Sequence, residues 1–197
     1  MPYFETRDIA AIALCAGLWG VLNSIFSPIL FQMFGLPILC DMMGFSVLAL
    51  TAWWTRKLGS VTAVGLIATV INFTFNPGAF HFLGFTVASV VFDVAAWLVR
   101  YGKAFKKTGS IIVSMVSIST LSAAVAGFII GSSFMAAPAL ARWGGVYGWV
   151  ALHAAGGVIG GIIGVVIITE LDARGIQAKA KNPVGQKISD DVVKESS

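Results

Sequence analysis

About six apolar stretches, separated by short polar connections, constrain this chain more than any other feature of its sequence. A bilayer crossing takes about 20 mostly apolar residues, so 197 residues hold six such helices and leave no room for a sizeable soluble domain. Hydrophobic residues make up 57% and charged residues 11%, at a mean hydropathy of +0.88, too apolar for a water-soluble core of this size. The expected fold is an all-α integral membrane protein, a bundle of six transmembrane helices. Its spans are expected at residues 8–28, 36–54, 60–75, 80–99, 110–137 and 147–169. The membrane domain then covers residues 1–172, and residues 173–197 form a polar, disordered tail. No apolar segment with a small-residue cleavage site stands apart at the N-terminus, so the first span is expected to be retained.

Pro28, Pro37, Pro77 and Pro138 fall at or beside the proposed span ends, where a missing N–H costs least. Basic residues set the orientation. Arg56 and Lys57 lie between spans two and three, and Arg100, Lys103, Lys106 and Lys107 between spans four and five; Arg174, Lys179 and Lys181 follow span six. The opposite loops carry only Arg142, so both termini are expected in the cytoplasm of a multi-pass cell-membrane protein. Trp53, Trp54 and Trp97 would then mark the inner interface, and Trp143, Tyr147 and Trp149 the outer one. The net charge of +4 is explained by topology and gives no nucleic-acid stripe. Cys15 and Cys40 lie in apolar runs without ligand spacing and read as small packing residues.

Within this frame Asn23, Asp41, Asn72 and His153 fall at similar depth towards the outer side. Polar groups in hydrocarbon are costly, about 2.5 to 3.5 kcal/mol for an Asp at a helix centre, so several at one depth imply a shared pocket. At about 1.5 Å per residue, Asp41 lies about 7 to 8 Å beyond Leu36, in the outer leaflet. The connection after span three, from Asn72 through Asn76 to His81, adds amides and an imidazole among aromatic rings, and Trp149 lies near the outer start of span six. Such a mixture suits a flat heteroaromatic solute. The substrate-binding set is therefore Asn23, Asp41, Asn72, His81, Trp149 and His153. Interhelical hydrogen bonding alone would also account for Asn23 and Asn72. Asp41 needs a partner, for which His153, Arg142, a bound cation or reach to the interface all serve. Asp93 lies six residues from the inner end of span four, on nearly one face with Arg100, and reads as an inner-leaflet ion pair or anchor. His153 with Asp41 would also suit a proton relay or a metal site, but two histidines and a carboxylate without local spacing are weak evidence for a metal, and no resident cofactor is expected.

Small residues mark the packing faces. Gly156, Gly157, Gly160, Gly161 and Gly164 form overlapping GxxxG patterns in span six. In span one Ala13 and Gly17, then Ala16 and Gly20, form small-xxx-small pairs that suit either internal packing or docking of another membrane subunit.

This layout resembles the substrate-binding S components of energy-coupling factor transporters. The likeness spans residues 5–172 and rests on size, six spans, cytoplasmic termini and the approach Glu-Thr-Arg-Asp-Ile-Ala-Ala-Ile-Ala-Leu into a small-residue first helix. It implies an outward-facing vitamin pocket and docking through the first helix onto a transmembrane coupling subunit driven by two cytoplasmic ATPases. The family's Ala-xxx-Ala docking pattern is represented here by Ala13-xxx-Gly17 and Ala16-xxx-Gly20. The chain looks most like members handling thiamine or its hydroxymethylpyrimidine precursor, and Asp41 would suit a cationic or aminopyrimidine ligand. Cobalt and nickel members carry an N-terminal Met-His, whereas residue 2 here is Pro. The alternative is a stand-alone secondary carrier coupling protons or sodium through Asp41 and His153, though no inverted repeat is visible. No GxSxG, HExxH or GxxxxGK[ST] occurs, so neither an enzyme nor an ATPase is expected of this chain.

Overall fold

A computed structural model describes residues 3–176, which form helices and turns with no strand among them. In chain order the helices are α1 (Thr6–Phe34), α2 (Ile38–Thr55), α3 (Ser60–Phe75), α4 (Phe82–Val99), α5 (Tyr101–Ala104), α6 (Thr108–Ser133), α7 (Ala137–Arg142) and α8 (Gly145–Ala173). Helices α1, α2, α4, α6 and α8 are each long and apolar enough to cross a membrane. The 16 residues of α3 match the expected third span in position but rise only about 24 Å, short of a hydrocarbon core of about 30 Å. The expected tail falls outside the described residues from position 177 onward; its first residue, Ala173, is the last of α8.

Neighbouring helices close a ring in the order α1, α3, α4, α6, α8, α2 and back to α1. Helix α2 also touches α3, α4 and α6 across the middle, and is the most buried of the candidate spans. The most extensive seams run along α8, and its glycines let both neighbours approach closely. A methyl group on Gly156 would stand 2.5 Å from Asp41 Cβ, and one on Gly160 2.7 Å from the Asp41 carbonyl oxygen. On the adjoining face, a methyl on Gly157 would meet Ala123 at 2.5 Å and one on Gly161 would meet Val116 at 2.9 Å. The two overlapping patterns therefore serve two internal partners, α2 and α6.

Pro28 does not end the first helix. Helix α1 continues six residues past it, to a left-handed cap at Gly35 (φ 66°). Proline removes the N–H that would bond the Ser24 carbonyl one turn earlier. Asn76 Nδ2 donates to that carbonyl at 3.1 Å, which supplies the lost partner from the end of α3.

Two of the expected interfacial tryptophans lie in the core instead: Trp53 and Trp149 are each 1% exposed, packed inside the ring. Trp97 and Tyr147 keep exposed faces. Asp93 also differs from expectation. Its carboxylate does not reach for Arg100, which is exposed and caps α4. Oδ2 accepts from Gly59 N at 2.8 Å, and from Thr62 N and Thr62 Oγ1 at 2.9 Å each. Gly59 is the N-cap of α3 and has no side chain to cap with, so Asp93 supplies the cap from α4 and places a negative charge at the helix N-terminus. Tyr101 donates to Oδ1 at 3.1 Å, and burial together with Asp93 raises its phenol above its ordinary value, keeping it a donor. At the same end Lys57 Nζ lies 2.6 Å from Asp8, whose carboxylate also accepts from Glu5 N in the capping box of α1.

Candidate functional site

The opposite end of the bundle holds a cavity of about 460 Å³ between α1, the start of α2, the end of α3, the α3–α4 connection, the start of α4, α6 and the start of α8. Asn23, Asn72, His81, Trp149 and His153 all line it. Five of the six residues expected at a binding site thus converge from three helices and a loop.

Asp41 is the exception, and its position changes its role. The carboxylate is fully buried and does not reach the cavity wall; it sits behind His153. His153 Nδ1 lies 3.0 Å from Asp41 Oδ1 and 3.0 Å from Oδ2, with hydrogen-bond geometry on Oδ1. Of the partners open to Asp41 in the sequence, the contact is His153. The absence of a side chain at Gly156 makes room for it, because a methyl there would lie 2.7 Å from Oδ2. His153 is fixed on its other sides as well: its ring centroid is 5.8 Å from Trp149 and 5.7 Å from Phe85, and its Cβ packs on Gly127.

The α1–α3 wall is polar. Asn23 Nδ2 donates to Asn72 Oδ1 at 3.4 Å, and Ser27 Oγ donates to Asn23 Oδ1 at 2.7 Å. The Ser24 hydroxyl donates to the Gly20 carbonyl at 2.6 Å and reaches Asn72 Oδ1 at 3.0 Å. Both asparagines therefore do hydrogen-bond between helices, and both also face the cavity. Phe31, Phe75, Phe85 and Met135 supply apolar wall. His81, the residue before α4, is held below its ordinary value by burial and then by the neighbouring His153, so it is neutral at pH 7.

Sequence reading missed Ser27, Phe31 and Cys40 on this wall, while Asn76 arrives there as one of the amides expected from the connection after span three. Helical spacing carried a signal for Ser27, which follows Asn23 by one turn. Cys40, read as a packing residue, is 8% exposed and lines the cavity. Among the described residues no group of three or more His, Cys, Asp or Glu converges as a metal site would require.

The small residues of α1 divide into two sets. Ala16 is buried, and a methyl on Gly20 would stand 2.9 Å from Ile71 on α3, so this pair serves internal packing. Ala13 is exposed, and a methyl on Gly17 would meet nothing within 4 Å. Comparison with known protein families, characterised proteins and solved structures finds no match to this chain.

Proposed function

We propose that this chain is the substrate-capturing membrane subunit of an energy-coupling-factor-type importer, taking a small vitamin-like solute from outside the cell. In this reading both termini are cytoplasmic, α3 completes a six-helix membrane bundle, and the cavity opens outward. The basic residues near the α2–α3 and α4–α6 connections support that orientation, since positive charge stays inside. The carrying observation is the cavity itself, at which five separately expected residues meet aromatic rings. Thiamine or a pyrimidine precursor fits the mixture of ring stacking and polar edges. A transmembrane coupling subunit and cytoplasmic ATPases would supply energy in trans, and the open Ala13–Gly17 face of α1 is where such a subunit would dock.

The Asp41–His153 contact favours a second reading, a stand-alone carrier that moves protons through the dyad. Reconstitution separates the two. Purified chain alone in proteoliposomes should bind solute tightly yet accumulate none, with or without a pH gradient. Accumulation driven by a pH gradient in the absence of any partner would replace the capture reading with the carrier. Gly17→Leu should leave solute binding intact and abolish assembly with the coupling subunit; loss of both would make Gly17 a packing residue.

A further inference from the structure

The unpartnered groups on the cavity wall constrain the charge of the solute, and this inference rests on the capture reading above. His153, Trp149 and Asn72 are 1%, 1% and 2% exposed, and each retains a buried nitrogen without a partner: Nε2, Nε1 and Nδ2 respectively. Of the acceptors beside them, Asn72 Oδ1 is met by Asn23 and Asn23 Oδ1 by Ser27, whereas Asp41 Oδ2, behind His153 and off the cavity wall, has no hydrogen-bond partner. An indole N–H and an amide NH2 can only donate. Imidazole can present either sign, so the state of Nε2 depends on what Nδ1 does.

Asp41 decides it. The dyad is 0% and 1% exposed, and a net charge held in such surroundings is penalised far more than a neutral pair. Two proton arrangements carry no net charge. In one, an imidazolium faces a carboxylate; in the other, a protonated Asp41 donates to Nδ1 of a neutral ring. Both place a proton on Nε2. Only the net-negative arrangement, a neutral ring donating from Nδ1 to a carboxylate, leaves Nε2 as a bare acceptor.

We propose that Asp41 is a positioning residue that makes His153 Nε2 a hydrogen-bond donor, so that the cavity selects a flat heteroaromatic solute rich in acceptors and without positive charge. Among the described residues no carboxylate lines the cavity to offset a cation. Every buried nitrogen left unpartnered on its wall offers a proton, and ring nitrogens, carbonyls or a carboxylate on the solute would satisfy them. Within the capture reading this favours an uncharged pyrimidine over thiamine, whose thiazolium ring is cationic.

Two measurements on the full chain in detergent test this. With 15N-labelled histidine, NMR distinguishes a protonated ring nitrogen from a bare one, and His81→Asn assigns the remaining signals to His153. Protonated Nε2 is expected; bare Nε2 with a proton on Nδ1 overturns the proposal. Tryptophan-fluorescence titration then compares the uncharged probe 4-amino-5-hydroxymethyl-2-methylpyrimidine, alongside other uncharged and anionic heteroaromatic vitamins, with thiamine. The tightest uncharged or anionic probe should bind at least about tenfold more tightly than thiamine. Thiamine binding equally or more tightly overturns the charge selection and leaves the capture reading standing. Saturable binding by none of the probes, in protein with a cooperative thermal transition, removes the capture reading and this inference with it.

Discussion

Two aspartates, Asp41 and Asp93, are fully buried in apolar helices of the same bundle, yet their surroundings have little in common. Asp93 accepts four hydrogen bonds, three of them from the start of α3 and one from Tyr101. Asp41 meets a single side chain, His153, whose far nitrogen is itself without a partner. A fully satisfied carboxylate holds helices together, and its reward is complete within the protein. A carboxylate that satisfies only a residue on a cavity wall leaves the account open at that wall. The end of the bundle around Asp93 is thus built for stability, and the end around Asp41 retains unmet hydrogen bonds that a solute can satisfy.

The difference is open to direct attack. Asp93→Ala orphans two backbone amides and two hydroxyls in one step, and should cost about 3 kcal/mol or more of stability. A thermal midpoint in detergent within a degree or so of wild type would mean that the α3 cap is replaceable by water. Asp41→Asn should show the reverse balance. Its stability loss is smaller, about 1 kcal/mol, because one hydrogen bond is weakened, whereas solute affinity should fall about tenfold as His153 loses its fixed protonation. Equal effects of the two substitutions on both quantities would erase the distinction between the ends. Tyr101→Phe removes one of the four donors to Asp93 and should cost about 1 kcal/mol while leaving solute binding unchanged, measured by chemical denaturation and titration side by side.

The smallest effect concerns pH. His81 is held below its ordinary value of 6.5 by burial and then by His153. As pH falls through that value the unfolded chain takes up its proton first, so stability is complete above it and declines towards acid. The thermal midpoint should therefore drop between about pH 7.5 and about pH 5.5, and drop less in His81→Asn. Identical drops would show that His81 does not contribute.

Much of this architecture is visible in residue order alone, because apolar length and polar interruptions obey local rules. The bounds of α3 follow from Gly59 and Asn76, and the glycine spacing on α8 announces two close-packed faces. What local rules do not reach is pairing between distant segments. Pro28 reads as a helix end unless it is known that Asn76 waits beside the freed Ser24 carbonyl, 52 positions away in the chain. Asp93 reads as a partner for nearby Arg100, since nothing along α4 reveals that the uncapped start of α3 lies against it. Trp53 and Trp149 match an interfacial belt in position, but the ring closed by α2 and α8 buries them. For Asp41 the sequence supplied the residue and several partners, and the fold supplied the order: His153 on the wall, Asp41 behind it.

The central claim is that the cavity captures a solute, and its most direct test is mass spectrometry of what the purified protein releases on denaturation. Wild type and Asn72→Phe, which fills the polar wall, would first be incubated with the small-molecule fraction of a cell extract and washed. The account predicts one solute released in roughly stoichiometric amount from wild type and missing from an Asn72→Phe protein that still unfolds cooperatively. Release of nothing enriched from folded wild type, or of the same solute from both proteins, would contradict it.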